Sequence, residues 1–452
     1  MGRNRGGQTT VGMASTLIGW KGQVAGKMLG VGTQLESASV VAWMLRKSIR
    51  EWGNKDAKHR VLCIQRSIFE EDVRAMAERT DDVCFGMLPK AKLHDIFRQF
   101  VDRHPQAREL TEYNYHHGCC REALEAYGTF MEKVLSILGN HWPFDAVLSG
   151  NFGYLQQQEV ARIVENRGIP FITLFKEGLV IPAYLDELPK KVIDRKRYIG
   201  SKIIFYSEQI RDAVLKSDAF DGAEFEVAVS GIPRMDRLVG APAAKKKRMV
   251  LFSFYPEDKF RCFDSSPDTL KRACDAADGF HRIIYRFAKD NPDWELVVKT
   301  KVGERYLTYA RDLLVAECGE VLANVQVTNA GAAVDLIEEA RVVVAFQSTT
   351  GIEALVAGRT VICPDFGEFF GDEPWDYFQD HPELVTYAKS LTDIEQAVRG
   401  SGENVEKQGP APQRRDEFLQ KMVHGADGKA SERVIEAIVA SIESRKQNRE
   451  GA

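Results

Sequence analysis

The run Val342-Val343-Val344-Ala345-Phe346-Gln347-Ser348-Thr349-Thr350-Gly351-Ile352-Glu353-Ala354-Leu355-Val356-Ala357-Gly358-Arg359-Thr360-Val361-Ile362 decides how this chain folds. It opens with a continuously apolar segment, as expected of a strand covered on both faces. Small hydroxyl residues and Gly351 follow, and a helix begins there with Glu353 in its first turns. A second apolar segment starts at Thr360, so the order is strand, helix, strand, the unit of a parallel sheet. The same order puts backbone N–H groups, the hydroxyls of Ser348, Thr349 and Thr350, and the positive end of a helix dipole at the carboxyl edge of the sheet. Anions bind at such edges. A phosphate would fit here without a metal, with Gln347 at its border; ordinary N-capping by Ser348 or Thr349 would use the same residues.

Similar apolar runs recur in both directions. Upstream they are residues 60–64, 83–87, 145–148, 171–175 and 202–206; downstream of residue 248 they are 249–254, 294–299, 325–328, 342–346 and 360–363. Between the two groups lies Val239-Gly240-Ala241-Pro242-Ala243-Ala244-Lys245-Lys246-Lys247-Arg248, a small-residue and charged stretch that reads as a solvated interdomain linker. The expected fold is therefore α/β, with two Rossmann-like parallel-sheet domains facing a cleft. Residues 1–240 would form the first domain, 241–248 the linker and 249–410 the second domain. Residues 411–452 would be helices packing back across the boundary. Thr33-Gln34-Leu35-Glu36 has the spacing of a capping box and predicts a helix with an apolar stripe from Leu35 to Trp52, stopped by Gly53.

Composition excludes several classes of function. Among 452 residues, 61 Lys and Arg stand against 65 Asp and Glu, a net charge of -4 that offers no general field for a nucleic-acid backbone, so no nucleic-acid partner is expected. The eight cysteines form no C-x-x-C pair and read as reduced, buried thiols. His116, His117, Cys119 and Cys120 are the one cluster suggestive of metal, but adjacent residues seldom turn to one centre, and no metal is expected. No run approaches the length of a membrane span, which leads to an expected cytoplasmic location, at most at the inner face of the membrane. The basic tip Met1 to Gly7 would touch an anionic membrane surface weakly, and Arg46, Lys47 and Arg50 keep a membrane-surface reading open for the first helix. Gly26-Lys27 lacks the spacing and the Ser or Thr of a P-loop, and Gly30-Val31-Gly32 lacks the third glycine of a dinucleotide fingerprint.

Three further segments carry chemistry. Ser230-Gly231-Ile232-Pro233-Arg234-Met235-Asp236-Arg237-Leu238 makes a tight turn out of a strand, and Arg234 would either lie in the cleft as a permanent cation or pair with Asp236 to fix the hinge. Phe175-Lys176-Glu177-Gly178-Leu179 places Glu177 at a strand's carboxyl end, where it would act as a base or pair with Lys176; Asn151 would border the same pocket. Lys299 closes the run Leu296-Val297-Val298-Lys299 at the corresponding edge of the second sheet.

Together these segments resemble glycosyltransferases of the GT-B type, specifically the bacterial surface and capsular polysaccharide transferases and CDP-glycerol glycerophosphotransferases. The resemblance rests on Ser348, Thr349, Thr350, Glu353, Ala354, Leu355, Gly358, Arg359, Val361 and Ile362, on Gly231-Ile232-Pro233-Arg234-Met235-Asp236, and on Asp427-Gly428-Lys429-Ala430-Ser431-Glu432-Arg433. It implies that Ser348 to Thr350 meet a nucleotide's phosphate and that Glu353 contacts the ribose or the transferred group. Where glycerophosphotransferases continue the Lys with Pro-His-Pro, this chain has Thr300-Lys301-Val302, which leaves Lys299 as a more general phosphate contact.

The implied function is transfer of a glycosyl or polyol-phosphate group from a nucleotide-sugar or CDP-activated donor to a hydroxyl on a carbohydrate or lipid-linked acceptor. No cofactor beyond the donor is needed. The absence of an Asp-x-Asp motif suits a metal-independent reaction, and Ala345 in place of a partnering glutamate favours inversion. Glu177 would take the acceptor's proton, while Arg234 and Lys299 would steady the leaving phosphate. Two other readings stay open: a sugar-nucleotide epimerase of the same fold, and a non-catalytic GT-B-like binding protein.

Overall fold

Near-continuous burial of the apolar runs is what makes them strands of two covered sheets, and the computed structural model shows both. It describes residues 29–30, 32–65, 69–107, 110, 120–189, 197–260, 266–369, 375–401 and 412–450. The first sheet contains β1 (Arg50–Trp52), β2 (His59–Gln65), β3 (Val83–Pro89), β4 (Ala146–Ser149), β5 (Phe171–Phe175), β6 (Lys202–Phe205) and β7 (Glu226–Val229). Its spatial order is β1-β3-β2-β4-β5-β6-β7, parallel except for β1, which runs against β3. The second sheet contains β8 (Arg248–Phe252), β9 (Glu295–Lys299), β10 (Val325–Thr328), β11 (Val342–Val344), β12 (Thr360–Pro364) and β13 (Thr386–Ala388), parallel in the order β10-β9-β8-β11-β12-β13. These are the two Rossmann-like domains expected.

In each sheet the chain leaves a central strand and later returns to its other side. The reversal falls between β2 and β4 in the first sheet and between β8 and β11 in the second. At such a switch point the connections diverge and leave a crevice above the carboxyl ends of the strands. One apolar cluster runs through both domains and into the C-terminal helices, including Val61 and Leu174 from the first sheet, Val250 and Val343 from the second, and Phe418 and Ile438 from the end of the chain. The two units are thus joined by a shared core.

The C-terminal helices Pro412–Val423 and Ala430–Glu450 cross the boundary as expected. The first stacks Phe418 on Phe378 of the second domain, ring centroids 5.3 Å apart, while Arg415 donates to the Val356 carbonyl at 3.1 Å. The second lies on the first domain through Lys58–Glu443, Lys446–Asp145 and Arg445–Glu165 ion pairs. Its first turn is capped by Asp236, whose carboxylate accepts from the backbone of Ala430 at 3.0 Å and Ser431 at 2.7 Å. Gly231 permits this approach: its φ is +82°, and a Cβ there would stand 3.0 Å from the Val423 carbonyl oxygen.

Several sequence expectations are corrected. Thr33 to Glu36 do not start a helix; Thr33 closes a preceding turn by donating to the Leu29 carbonyl, and Glu36 has φ +50°. The helix is Ala38–Ser48, with Ser37 at its N-cap position. Ile49 leaves helical geometry, and Arg50 to Trp52 extend into β1 because the open edge of β3 offers backbone partners that outweigh the continuing apolar spacing. The linker is less free than its composition implies. Lys245 to Lys247 are exposed, but Arg248 is buried in β8 between Glu295 and Glu339, and Arg359 and Arg341 hold the carbonyls of Pro242 and Ala244. His116, His117, Cys119, Cys262, and the Gly22 to Met28 stretch lie outside the described residues; Cys120 is buried ahead of the helix Arg121–His141.

Asp236→Ala would remove both acceptors from the start of the last helix. The expected cost is about 1–2 kcal/mol in urea unfolding at neutral pH; an unchanged midpoint would show that water replaces the cap.

Candidate active site

The two carboxyl edges meet at the domain boundary, and the residues placed there sit on elements that follow strands of both sheets. After β2 comes the helix Phe69–Ala77, whose first turn carries Glu70, Glu71 and Asp72. After β7 comes the 3-10 turn Pro233–Leu238, and after β11 the helix Thr349–Val356. Arg234, on the 3-10 turn, reaches between the two helices. Its Nη1 is 3.2 Å from Asp72 Oδ1, and its Nη2 and Nε are 3.0 and 3.1 Å from Glu353 Oε1. All three side chains are buried, with Asp72 at 0% exposure. Tyr206 completes the group by donating to Asp72 Oδ2 at 2.7 Å.

Burial opposes the Arg234 charge, but Asp72 and Glu353 outweigh it and hold the guanidinium ionised, well above its ordinary pKa. Burial pushes Glu353 upward, against the pull of Arg234. Glu353 Oε2 is buried with no hydrogen-bond donor in good geometry among the described residues, although the Thr349 hydroxyl lies close enough to favour its charge. Arg234 therefore stands at the boundary as the sequence implied, but its partners are Asp72 and Glu353 rather than Asp236. Its donors are committed to carboxylates, which makes it a clamp between the domains.

Lys299, at the end of β9, is half-buried and donates to the Asn329 carbonyl at 2.7 Å; desolvation lowers its pKa and Glu71 opposes that shift. Glu71 is thus close enough to Lys299 to act on its charge. Its own pKa is raised to about 7, first by burial and then by the neighbouring Glu353 charge, with Arg234 pulling the other way. Sequence reasoning missed Glu71 and Asp72. The available signal was an acidic triplet one loop beyond a buried strand, which reads equally as favourable charge on a helix N-terminus.

At the other expected site, Ser348 caps its helix by accepting from the Thr350 N–H at 3.4 Å, and its hydroxyl meets that of Thr350 at 2.8 Å. Gln347 adopts φ +44° and donates Nε2 to the Trp375 carbonyl at 2.8 Å. Trp375 packs edge-on to Tyr184, 5.5 Å between centroids, and the Tyr377 hydroxyl donates to the Leu179 carbonyl at 3.2 Å. The segment after β5 that carries Glu177 is thereby held against the second domain. Glu177 lies 3.7 Å from Lys176 and keeps 30% of its side chain exposed. Asn151 turns its Oδ1 back to the Gly153 N–H.

Ser253, just past β8, also lies at the switch point, and here a histidine distant in sequence arrives. His281 Nδ1 is 2.8 Å from the Ala277 carbonyl, so it donates, and Nε2 accepts from the Ser253 hydroxyl at 3.1 Å. Burial lowers His281 to about 4, leaving it neutral at pH 7. No histidine beside the motifs was expected; this one is wholly buried and serves to orient Ser253. Among the described residues, no three His, Cys, Asp or Glu side chains converge as a set of metal ligands.

Comparison with known proteins bears on the second domain. Residues 263–370 match the family model described as capsule polysaccharide biosynthesis protein, a span containing Lys299, Gln347, Ser348, Thr349, Thr350 and Glu353. No curated protein matches the chain significantly. Among solved structures, UDP-GlcNAc 2-epimerase from Neisseria meningitidis bound to UDP-GlcNAc is 12% identical, with 84% of this chain and 100% of that one covered and a TM-score of 0.45. A UDP-forming α,α-trehalose-phosphate synthase from Burkholderia xenovorans is 11% identical over 85% and 98%, TM-score 0.43. The S. aureus MnaA structure with UDP is 12% identical over 83% and 95%, TM-score 0.45. At such scores these structures carry no argument about the reaction; the match to the capsule family is confined to under a quarter of the chain.

Proposed function

We propose that the chain is a transferase of surface-polysaccharide synthesis, moving a glycosyl or polyol-phosphate group from a nucleotide-activated donor to an acceptor hydroxyl. The observation that carries this reading is the charged group assembled from both domains at their boundary: Glu71, Asp72 and Arg234 from the first, Lys299 and Glu353 from the second. The match of residues 263–370 to the capsule family supports the substrate class. Donor phosphate would lie at the Ser348–Thr350 helix start with Lys299 beside it, and Glu353 would contact the ribose or the transferred group.

In the glycosyl case the acceptor oxygen bonds to the anomeric carbon as the bond from that carbon to phosphate breaks. The nucleotide departs with the electron pair, and a carboxylate takes the hydroxyl proton. Lys299 and the helix N-terminus stabilise charge that grows on the departing phosphate, which favours the transition state over the bound donor. Two first-domain carboxylates can serve as base. Glu177 stands at the end of β5; Glu71 has a pKa near 7, the range in which a base is both ionised and able to hold a proton at neutral pH. We assign the proton to Glu71 and place Glu177 toward the acceptor. Arg234 acts as a positioning residue, fixing Glu353 relative to Asp72. No metal is required by these residues, and a single displacement would invert the transferred centre.

The direct test incubates the pure protein with a panel of nucleotide sugars, CMP-sugars and CDP-glycerol, with and without oligosaccharide acceptors. Donor-specific transfer or slow hydrolysis is expected; an epimerised sugar, or binding without turnover, would replace this reading with one of its rivals. Ser348→Ala combined with Thr349→Ala should weaken nucleotide affinity about tenfold or more by calorimetry, and unchanged affinity would remove the phosphate site from the helix start.

Glu71→Gln separates function from stability. For the wild type, kcat/KM should rise with pH through about 7, as the base loses its proton, and this limb should vanish with most of the activity in Glu71→Gln. If Glu177→Gln abolished the limb while Glu71→Gln kept it, the base would be Glu177. The sign for stability is opposite: a carboxyl whose folded pKa lies above its unfolded value stabilises the fold while protonated and loses that contribution as pH rises from about 4.5 to about 7. Glu71→Gln should therefore be more stable than wild type at pH 8, by on the order of 1 kcal/mol after solvent screening, and equal to it at pH 4.

A further inference from the structure

A serine hydroxyl at the end of a strand can ordinarily turn either way, donating to a phosphate oxygen or accepting from a sugar hydroxyl. At Ser253 the protein itself makes the choice. The Ala277 carbonyl has no proton to give, so the hydrogen of the His281 ring lies on Nδ1, 2.8 Å from that oxygen. Nε2 then carries a lone pair and no hydrogen, and the Ser253 hydroxyl, 3.1 Å away, has to be its donor. An imidazolium donating from both nitrogens is opposed by burial. His281 is at 0% exposure, its ring centroid 4.6 Å from that of Phe254 and 5.6 Å from that of Tyr309, and its pKa is lowered to about 4. The Tyr309 hydroxyl is turned elsewhere, donating to Asp278 at 2.6 Å. Ser253 Oγ therefore spends its one proton inward. Among the described residues this is the hydroxyl's one hydrogen bond, and what remains of the half-buried oxygen is lone pairs.

The position of Ser253 gives this polarity a use. Its backbone N–H donates to the Lys299 carbonyl at 2.9 Å, which sets it beside the end of β9. On the other side, Leu251 of β8 stands opposite Val344 of β11, and continuing that register brings Ser253 level with Phe346, two residues before Ser348. The oxygen thus lies on the strand between those that lead to Lys299 and to Ser348. A phosphate offers only acceptor oxygens in its dianionic form and gains nothing from an atom that can only accept; a ligand hydroxyl has a proton to give. A nucleophilic role is disfavoured by the same geometry. An imidazole with a pKa near 4 is a poor base for a serine proton, and its Nδ1 rests on a carbonyl where a carboxylate would be needed to hold the resulting charge.

We infer that Ser253 receives a hydroxyl of the nucleotide-activated donor as a hydrogen-bond acceptor, and that His281 is the positioning residue that fixes this sense. The inference rests on the donor site proposed above and adds to it a contact that selects a hydroxyl-bearing group over phosphate.

Calorimetry on the full chain tests it with pyrophosphate, with whichever of UDP, CDP, GDP and ADP binds most tightly, with the 2′-deoxy and 3′-deoxy forms of that nucleotide, and with its sugar-bearing forms. Ser253→Ala should weaken the hydroxyl-bearing ligand about fivefold and leave pyrophosphate unchanged. The wild type should lose a similar factor toward the analogue without the hydroxyl, and Ser253→Ala should lose nothing further. A loss already seen with a deoxynucleotide assigns the hydroxyl to the ribose, and one seen only with the sugar-bearing forms assigns it to the transferred group. His281→Gln, whose Oε1 can accept from Ser253, should bind as the wild type does. His281→Leu releases the hydroxyl to turn outward, so it should bind the nucleotide ligand more weakly and pyrophosphate more tightly; loss of packing alone would not give opposite signs. If Ser253→Ala weakened pyrophosphate equally, or weakened no nucleotide ligand, the inference would fall while the donor site stood. A wild type that bound neither nucleotides nor pyrophosphate would remove the donor site and the inference together.

Discussion

The placement of one guanidinium governs the boundary between the domains. Arg234 is buried with Asp72 on one side and Glu353 on the other, in surroundings where an unpaired ion would be expensive. Replacing such a group by apolar residues can be harmless, but removing one member strands the others and costs about 3–5 kcal/mol. The arrangement is thus a constraint more than a source of stability. It penalises any shift that would pull the helix after β11 away from the helix after β2, and it therefore fixes how the two crevices face each other. The elements around it follow suit: Asp236, two residues on, caps the last helix, and Arg237, three on, bridges to Asp335 and Glu338 of the second domain.

Holding the domains in this way has an electrostatic by-product. Two carboxylates on one guanidinium leave the local balance negative, and Glu71, next to Asp72 in the chain, is a partly buried group able to respond. Its affinity for a proton rises because its neighbours are already charged and its surroundings are dry. A structural ion cluster and a group suited to proton transfer at neutral pH are consequences of the same packing.

Much of the architecture was legible because burial on both faces removes alternation. Most of the runs that became β2 to β6 and β8 to β12 are nearly continuous in apolar residues, and no other element produces so many short segments of that kind at this spacing. The strands that no apolar run announced, β1, β7 and β13, are edge strands of three or four residues with mixed composition such as Arg50-Glu51-Trp52, whose extended form comes from a neighbour rather than from their own sequence. The candidate site was legible only where its chemistry is local. Ser348 and Glu353 could be found from a strand followed by small polar residues, and Arg234 from a turn. Glu71, Asp72 and His281 owe their positions to tertiary packing over 28 to 281 residues of separation, from partners such as Ser253 beside His281 or Glu353 beside Asp72, which no local pattern encodes.

The Asp236 cap has a consequence for the order in which the molecule is completed. The carboxylate that starts the last helix belongs to the hinge, 194 residues earlier, and the helix it starts covers the first domain. During synthesis the first domain must wait, with part of its apolar surface open, until almost the whole second domain has emerged. The cover of the first domain is therefore completed last, by the helix Ala430–Glu450. A protein truncated before residue 430 would retain every residue of the candidate site and the Arg234 clamp, and yet leave uncovered the apolar surface of the first domain on which the last helix lies.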